Sequence, residues 1–166
     1  GDIVWATSAG NSRQGHWQGR TTDSDGDGWV ELAPGEELNA FPGTLRSGDR
    51  VRSSMTWNDW DRPTNDYALY LYRIAADGST TEVARSDDSQ TGSSGQRPTE
   101  QLGYTVAEDG RYGVAVFRKS VSGEHDLELF ETEWDFELVV EEGSLTIPAD
   151  SPDLLAVAAL STSSMR

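Results

Sequence analysis

Apolar residues at every second position are the feature that most limits how this chain can fold. Val51, Ser53, Met55 and Trp57 fall on one side of an extended segment, and Tyr67, Leu69 and Leu71 lie opposite Ala68, Tyr70 and Tyr72. Tyr112, Val114 and Val116 form another set, as do Leu127 and Leu129, and Phe136, Leu138 and Val140 close the series. A period of two puts alternate side chains on opposite faces of a strand, so these runs predict half-buried β-strands. Turn sequences punctuate them: Ser47-Gly48-Asp49, Ala76-Asp77-Gly78, Glu108-Asp109-Gly110 and Glu141-Glu142-Gly143. Asp-Gly at 77–78 and 109–110 signals tight reversals. Asp87 to Pro98 is rich in Ser, Gly and Gln and reads as a long loop. No stretch carries a helical stripe of convincing length. The expected fold class is all-β, an antiparallel β-sandwich of jelly-roll type.

The ends differ in character. Ile3 to Ala6 is a short apolar run, and Leu154 to Leu160 is a continuous one. Unbroken apolar runs of this kind suit strands buried on both faces of a parallel sheet. The chain therefore divides into a flanking strand and turn (1–14), a β-sandwich (15–143) and a second flanking strand with a tail (144–166). Both ends read as pieces of a larger unit. The opening Gly1–Trp5 lacks the basic n-region of a signal peptide. No apolar run approaches the ~18 residues of a membrane-spanning helix.

Composition bears on partners. Hydrophobic residues make up only 35% of the 166, but six Trp, five Tyr and four Phe supply large buried areas to compensate. The formal net charge of −16 speaks against nucleic acid and anionic membranes as partners, because both need a basic surface. It suits a cation. Without cysteine, thiolate zinc sites are excluded, and His16 and His125 are the only imidazoles.

Asp23-Ser24-Asp25-Gly26-Asp27-Gly28 matches the front half of a calcium loop, in which alternate oxygens converge on a hard cation. Trp29 supplies a backbone carbonyl in that reading and Glu31 stands at the ninth position. Pro34 occupies the twelfth, so a complete EF-hand is rejected and a distant carboxylate has to complete the set. The competing reading is a solvated loop of Asx turns. Asp59, Asp61 and Asp66 form a weaker acidic cluster that either binds calcium or caps strand ends. Trp57 and Trp60 are candidates for an aromatic platform that holds carbohydrate or protein, against a packing role. Glu128, Glu131, Glu133, Glu137, Glu141 and Glu142 read as a solvent-facing acidic surface. His16 and His125 read as packing or surface histidines in loops, and no independent catalytic triad is expected.

The flanks resemble subtilisin-like serine proteases (subtilases). Val4-Trp5-Ala6-Thr7-Ser8-Ala9-Gly10-Asn11 is similar to the family strand that ends in Ala-Gly-Asn, and Ile147-Pro148-Ala149 through Leu154-Leu155-Ala156-Val157-Ala158-Ala159 is similar to its Pro-Ala strand. The resemblance implies that Asn11 is the side-chain donor of an oxyanion hole in the parent enzyme. It also implies that the region between is inserted after that residue, beside the substrate cleft. Met55-Thr56-Trp57-Asn58-Asp59-Trp60 and Asn65-Asp66-Tyr67-Ala68-Leu69-Tyr70 resemble β-sandwich domains attached to secreted bacterial peptidases, with Ala68 where an Asp is common. The family's Asp, His-Gly and Gly-Thr-Ser motifs are not in this sequence, so the chain alone is not expected to cut. The implied setting is extracellular or cell-surface, with the rest of the protease catalytic domain as partner. The function expected is a non-catalytic module that modulates substrate access or stability. The alternatives are an extracellular carbohydrate- or protein-binding module and a calcium-dependent structural module.

Overall fold

The computed structural model describes residues 6–8, 14–144 and 155–157. Along them run strands β1 (Ala6–Ser8), β2 (His16–Arg20), β3 (Leu38–Ala40), β4 (Arg50–Trp57), β5 (Asp66–Ile74), β6 (Thr80–Ser86), β7 (Thr99–Thr105), β8 (Arg111–Ser120), β9 (Asp126–Glu131) and β10 (Leu155–Val157), with no helix among the described residues. Strands β2 to β9 build two antiparallel sheets of four, ordered β2-β9-β4-β7 and β3-β8-β5-β6. This order follows from folding one long ribbon in half. The chain reverses at Asp77-Gly78, where Gly78 takes a φ of 84° that a side chain would resist. Beyond that point β6 pairs with β5, β7 with β4, β8 with β3 and β9 with β2. The ribbon then curls so that β4 also pairs with β9 and β5 with β8. Every link except β5 to β6 crosses from one sheet to the other, which makes a jelly roll. Asp109-Gly110 is therefore a crossing between β7 and β8, not the turn of a hairpin.

The period-two faces meet inside. Val51, Met55 and Trp57 of β4 and Leu127 and Leu129 of β9 face Tyr67, Leu69 and Leu71 of β5 and Val114 and Val116 of β8, all at most 2% exposed. The Trp57 ring meets Tyr67 edge-on at 5.1 Å. Burying such side chains contributes ~1.5–3 kcal/mol each, which makes this layer the main source of stability. Gly113 of β8 has no room for more: a Cβ there would lie 2.9 Å from the Ala40 Cα and 2.9 Å from the Asn39 carbonyl oxygen. Its bare backbone is what lets the short β3 dock.

β1 and β10 form a separate parallel pair, with Ala6 beside Leu155, Thr7 beside Ala156 and Ser8 beside Val157. The parallel pairing agrees with the apolar flanks, and the rest of the expected strands, Ile3–Trp5, Leu154 and Ala158–Leu160, lies outside the described residues.

Three expectations need correction. Phe136 to Val140 is not a strand. Its backbone is taken up elsewhere: Leu138 N–H donates to Asn39 Oδ1 (2.9 Å), Asn39 Nδ2 donates to the Leu138 carbonyl (2.8 Å), and Val140 N–H donates to the His16 carbonyl (3.0 Å). Phe136 packs on Phe41. Glu131 is not on the surface but buried, because Arg52 N–H (3.0 Å), Ser53 Oγ (2.5 Å) and Glu133 N–H (3.1 Å) all donate to its carboxylate. His16 is no loop residue: it begins β2, fully buried beside Phe130, with Nδ1 2.6 Å from the Val140 carbonyl.

A second buried carboxylate, Glu100, accepts hydrogen bonds from Ser86 Oγ, Asp88 N–H and Gln90 Nε2. Burial raises its pKa, and the three donors offset that rise only in part. Its contribution to stability is therefore complete while Glu100 is protonated in both states and is lost as pH rises toward the folded pKa. Urea midpoints measured from about pH 4 to pH 7 should show Glu100→Gln gaining on the parent chain as pH rises; parallel curves would contradict this reading. In the core, Leu129→Ala should cost about 2–5 kcal/mol by urea unfolding.

Candidate functional site

The loop between β2 and β3 is stapled to β8. Val30 N–H donates to the Val116 carbonyl and Arg118 N–H to the Gly28 carbonyl, both at 2.9 Å, and Glu31 N–H closes the loop on Thr22. Within it each aspartate organises the backbone just beyond itself. Gly26 N–H donates to Asp23 Oδ1 (2.8 Å), Asp27 N–H to Asp25 Oδ1 (3.3 Å) and Trp29 N–H to Asp27 Oδ1 (2.9 Å). Gly26 and Gly28 take the positive φ values, 79° and 95°, that these tight turns require. The result brings oxygens of Asp23, Asp25 and Asp27 within 4.8 Å of one another. Such a set can accept a hard cation through its free lone pairs.

Other charges bear on the loop. The Arg118 guanidinium lies 3.4 Å from Asp23 and offsets one carboxylate. Ser24 Oγ donates to Glu31, holding that side chain against the loop. Glu37 is the residue that sequence reasoning missed. Burial pushes its pKa up, and the fields of Asp27, Asp25, Glu31 and Asp23 push it further. Nothing in local spacing marks Glu37, since it lies ten residues beyond Asp27 and past the Gly35 turn. Its carboxyl feels the charge of the loop but is not among the oxygens that converge there.

The other predicted residues are not brought together in this way. Asp59 Oδ2 accepts from Thr64 N–H (2.8 Å), Asn65 N–H (2.9 Å) and Asn65 Nδ2 (2.8 Å). Burial opposes the charge on Asp59, but these donors outweigh it and hold the pKa below the usual range. Asp61 is exposed at a φ of 76°, and Asp66 pairs with Lys119 at 3.4 Å, which also meets Asp87. These aspartates shape the loop into β5. Trp57 and Trp60 do not form a platform: Trp57 is 1% exposed, sealed in the core, and Trp60 stands alone at 61%. The alternation in β4 aims Trp57 inward, whereas Trp60 lies beyond the strand.

Tyr67 OH shares hydrogen bonds at 2.9 Å with Thr21 Oγ1 and His125 Nδ1, so His125 ties the β8–β9 loop to the core. Among the described residues neither imidazole hydrogen-bonds a serine hydroxyl. Asn11 lies outside the described residues.

No protein-family model and no curated protein matches this chain. Among solved structures it is similar to the CspB protease of Clostridium perfringens, with a TM-score of 0.54 and 14% identity, over 92% of this chain and 34% of that one. At that identity the likeness is one of fold, and the chain spans about a third of that protein's length.

If the aspartate loop takes calcium, excess calcium should raise the melting temperature over chelator-treated protein, by about 2.7 kcal/mol of stability at a hundredfold excess over Kd. Asp25→Asn should remove most of that gain. An unchanged melting temperature leaves the loop as a run of Asx turns.

Proposed function

We propose that the chain is the non-catalytic β-sandwich of a larger subtilisin-like serine protease, inserted beside the substrate cleft, where it governs the access of large substrates. The observation that carries this reading is the parallel pairing of β1 with β10. A chain that leaves one parallel strand, builds a complete jelly roll and returns to the neighbouring strand has the topology of an insertion. The neck supports it: Phe136 N–H donates to the Gln14 carbonyl (2.7 Å) and Val140 N–H to the His16 carbonyl (3.0 Å), so entry and exit lie side by side. Domain insertion is tolerated where the two ends of the insert are close together. The likeness to a protease covers 92% of this chain. The role of Asn11 as oxyanion donor belongs to this proposal and rests on the resemblance of residues 4–11 to the subtilase strand.

A calcium-stabilised module is the second reading, and the convergence of Asp23, Asp25 and Asp27 favours it. The two are compatible. The carbohydrate platform loses its support with the burial of Trp57.

Because His16 and Val140 are adjacent, residues 17–139 can be replaced by a short glycine turn in the full-length protein. The expected outcome is a larger change in kcat/KM for folded protein substrates than for a short chromogenic peptide. Equal loss on both would point to a folding role. No peptidase activity in the full-length protein would overturn the reading.

A further inference from the structure

The face of the β3-β8-β5-β6 sheet turned away from the core is aromatic. Tyr70 and Tyr72 of β5 alternate with the core residues Leu69 and Leu71, and Phe117 of β8 with Val116. Tyr70 and Tyr72 are nearly parallel, at 6.1 Å and 17°. Trp29, carried in from the aspartate loop, stands across them at 71° and 69°, and meets Phe117 at 4.9 Å and 62°. Gly28 makes this possible: a Cβ there would fall 2.6 Å from the Phe117 ring. In the cleft itself β8 contributes Ala115, paired with Tyr70 on one side and Leu38 on the other. A small residue in the middle of a sheet face leaves a depression. The result is an open cleft of about 340 Å³ lined by Trp29, Tyr72, Leu38, Thr80 and Ala115, with Glu37 as its one acidic wall.

Acidic groups outnumber basic ones around the cleft. Asp23, Asp25, Asp27 and Glu31 act on Glu37, and Glu82 acts on Tyr72. Two cations stand nearby: Arg118 pairs with Asp23, and Arg85, beside Tyr70 in the β5–β6 register, pairs with Glu82. Rings that meet near right angles form a corner, whereas a sugar stacks on an open, flat ring face. Corners of aromatic rings with a carboxylate are suited to a cation, which gains from the negative ring faces and from the carboxylate together. A planar guanidinium can lie against a ring and present its N–H fork to Glu37, which an ammonium cannot do as well.

We propose that this cleft binds an arginine side chain presented by a basic segment of another polypeptide, with Trp29 and Tyr72 against the guanidinium and Glu37 accepting its hydrogen bonds. The proposal is independent of the protease reading, because the cleft lies wholly within the sandwich and is tested on this chain alone.

The test is a titration of the 166-residue chain with an amidated Gly-Arg-Gly-Arg-Gly peptide, read by calorimetry and by the Trp29 indole N–H resonance, which Trp29→Phe assigns. Saturable binding should move that resonance and weaken as salt is added. A peptide with citrulline, the neutral isostere of arginine, should bind at least about tenfold more weakly, and Glu37→Gln about fivefold more weakly, with a melting temperature no lower than that of the parent chain. Equal binding of the citrulline peptide, no loss in Glu37→Gln, or no saturable binding at millimolar peptide would each overturn the proposal. A Trp29 response to cellotetraose but not to the arginine peptide would make the cleft a sugar site and would also overturn it.

Discussion

The placement of β2 beside β9, the first strand of the sandwich beside its last, is the contact on which the rest of the structure depends. It spans nearly the whole domain in sequence, so closing it costs the most chain entropy of any pairing within the sandwich. Without it the folded ribbon would end in two loose tails, and the two sheets would not both reach four strands. With it, the Gly15 carbonyl accepts from Glu131 N–H at 2.7 Å and the neck is drawn shut. The parallel contact of β1 with β10 lies outside that closure, on the flanks of the sandwich.

That closure explains one of the two buried carboxylates. Glu131 stands at the end of β9, where β2, β4 and the exit segment meet, and its oxygens answer N–H and O–H groups from β4 and from Glu133. Glu100 does the equivalent work at the start of β7, for Ser86 and the loop that follows β6. Crossing points between sheets leave backbone donors without ladder partners, and a buried donor left alone is costly. A chain with 29 acidic residues has carboxylates to spend at such places.

Much of the sandwich could be read directly from residue order. The alternation of Val51, Met55 and Trp57, of Tyr67, Leu69 and Leu71, and of Tyr112, Val114 and Val116 reports a local property, which face of a strand is buried, and local order carries it. What escaped is non-local. Phe136 to Val140 has a strand's pattern but bridges the edges of both sheets instead of joining one: Glu137 N–H donates to the Ala40 carbonyl of β3, Val140 N–H to the His16 carbonyl of β2, and Asn39, distant in sequence, holds Leu138 between them. Glu131 looks like any other surface glutamate until its donors are brought to it. Trp57 and Trp60 look like a pair because spacing does not tell that a strand ends between them. The aspartate loop was legible because its turns are made by neighbours two or three residues apart; Glu37 was not, because folding alone brings its carboxyl under the influence of that loop.

β3 joins the two ends of this argument. It is three residues long, and its flanking Glu37 and its Leu38 line the cleft while its Asn39 and the Ala40 carbonyl hold the exit segment through Leu138 and Glu137. Its only ladder partner is β8, approached closely across Gly113. A strand this short has little pairing energy of its own and depends on what it holds. The exit segment fixes one edge of β3 and β8 the other. The cleft and the neck are therefore two faces of one small element, and the precision with which Glu37 is placed against Trp29 depends in part on the Asn39 clamp that closes the domain.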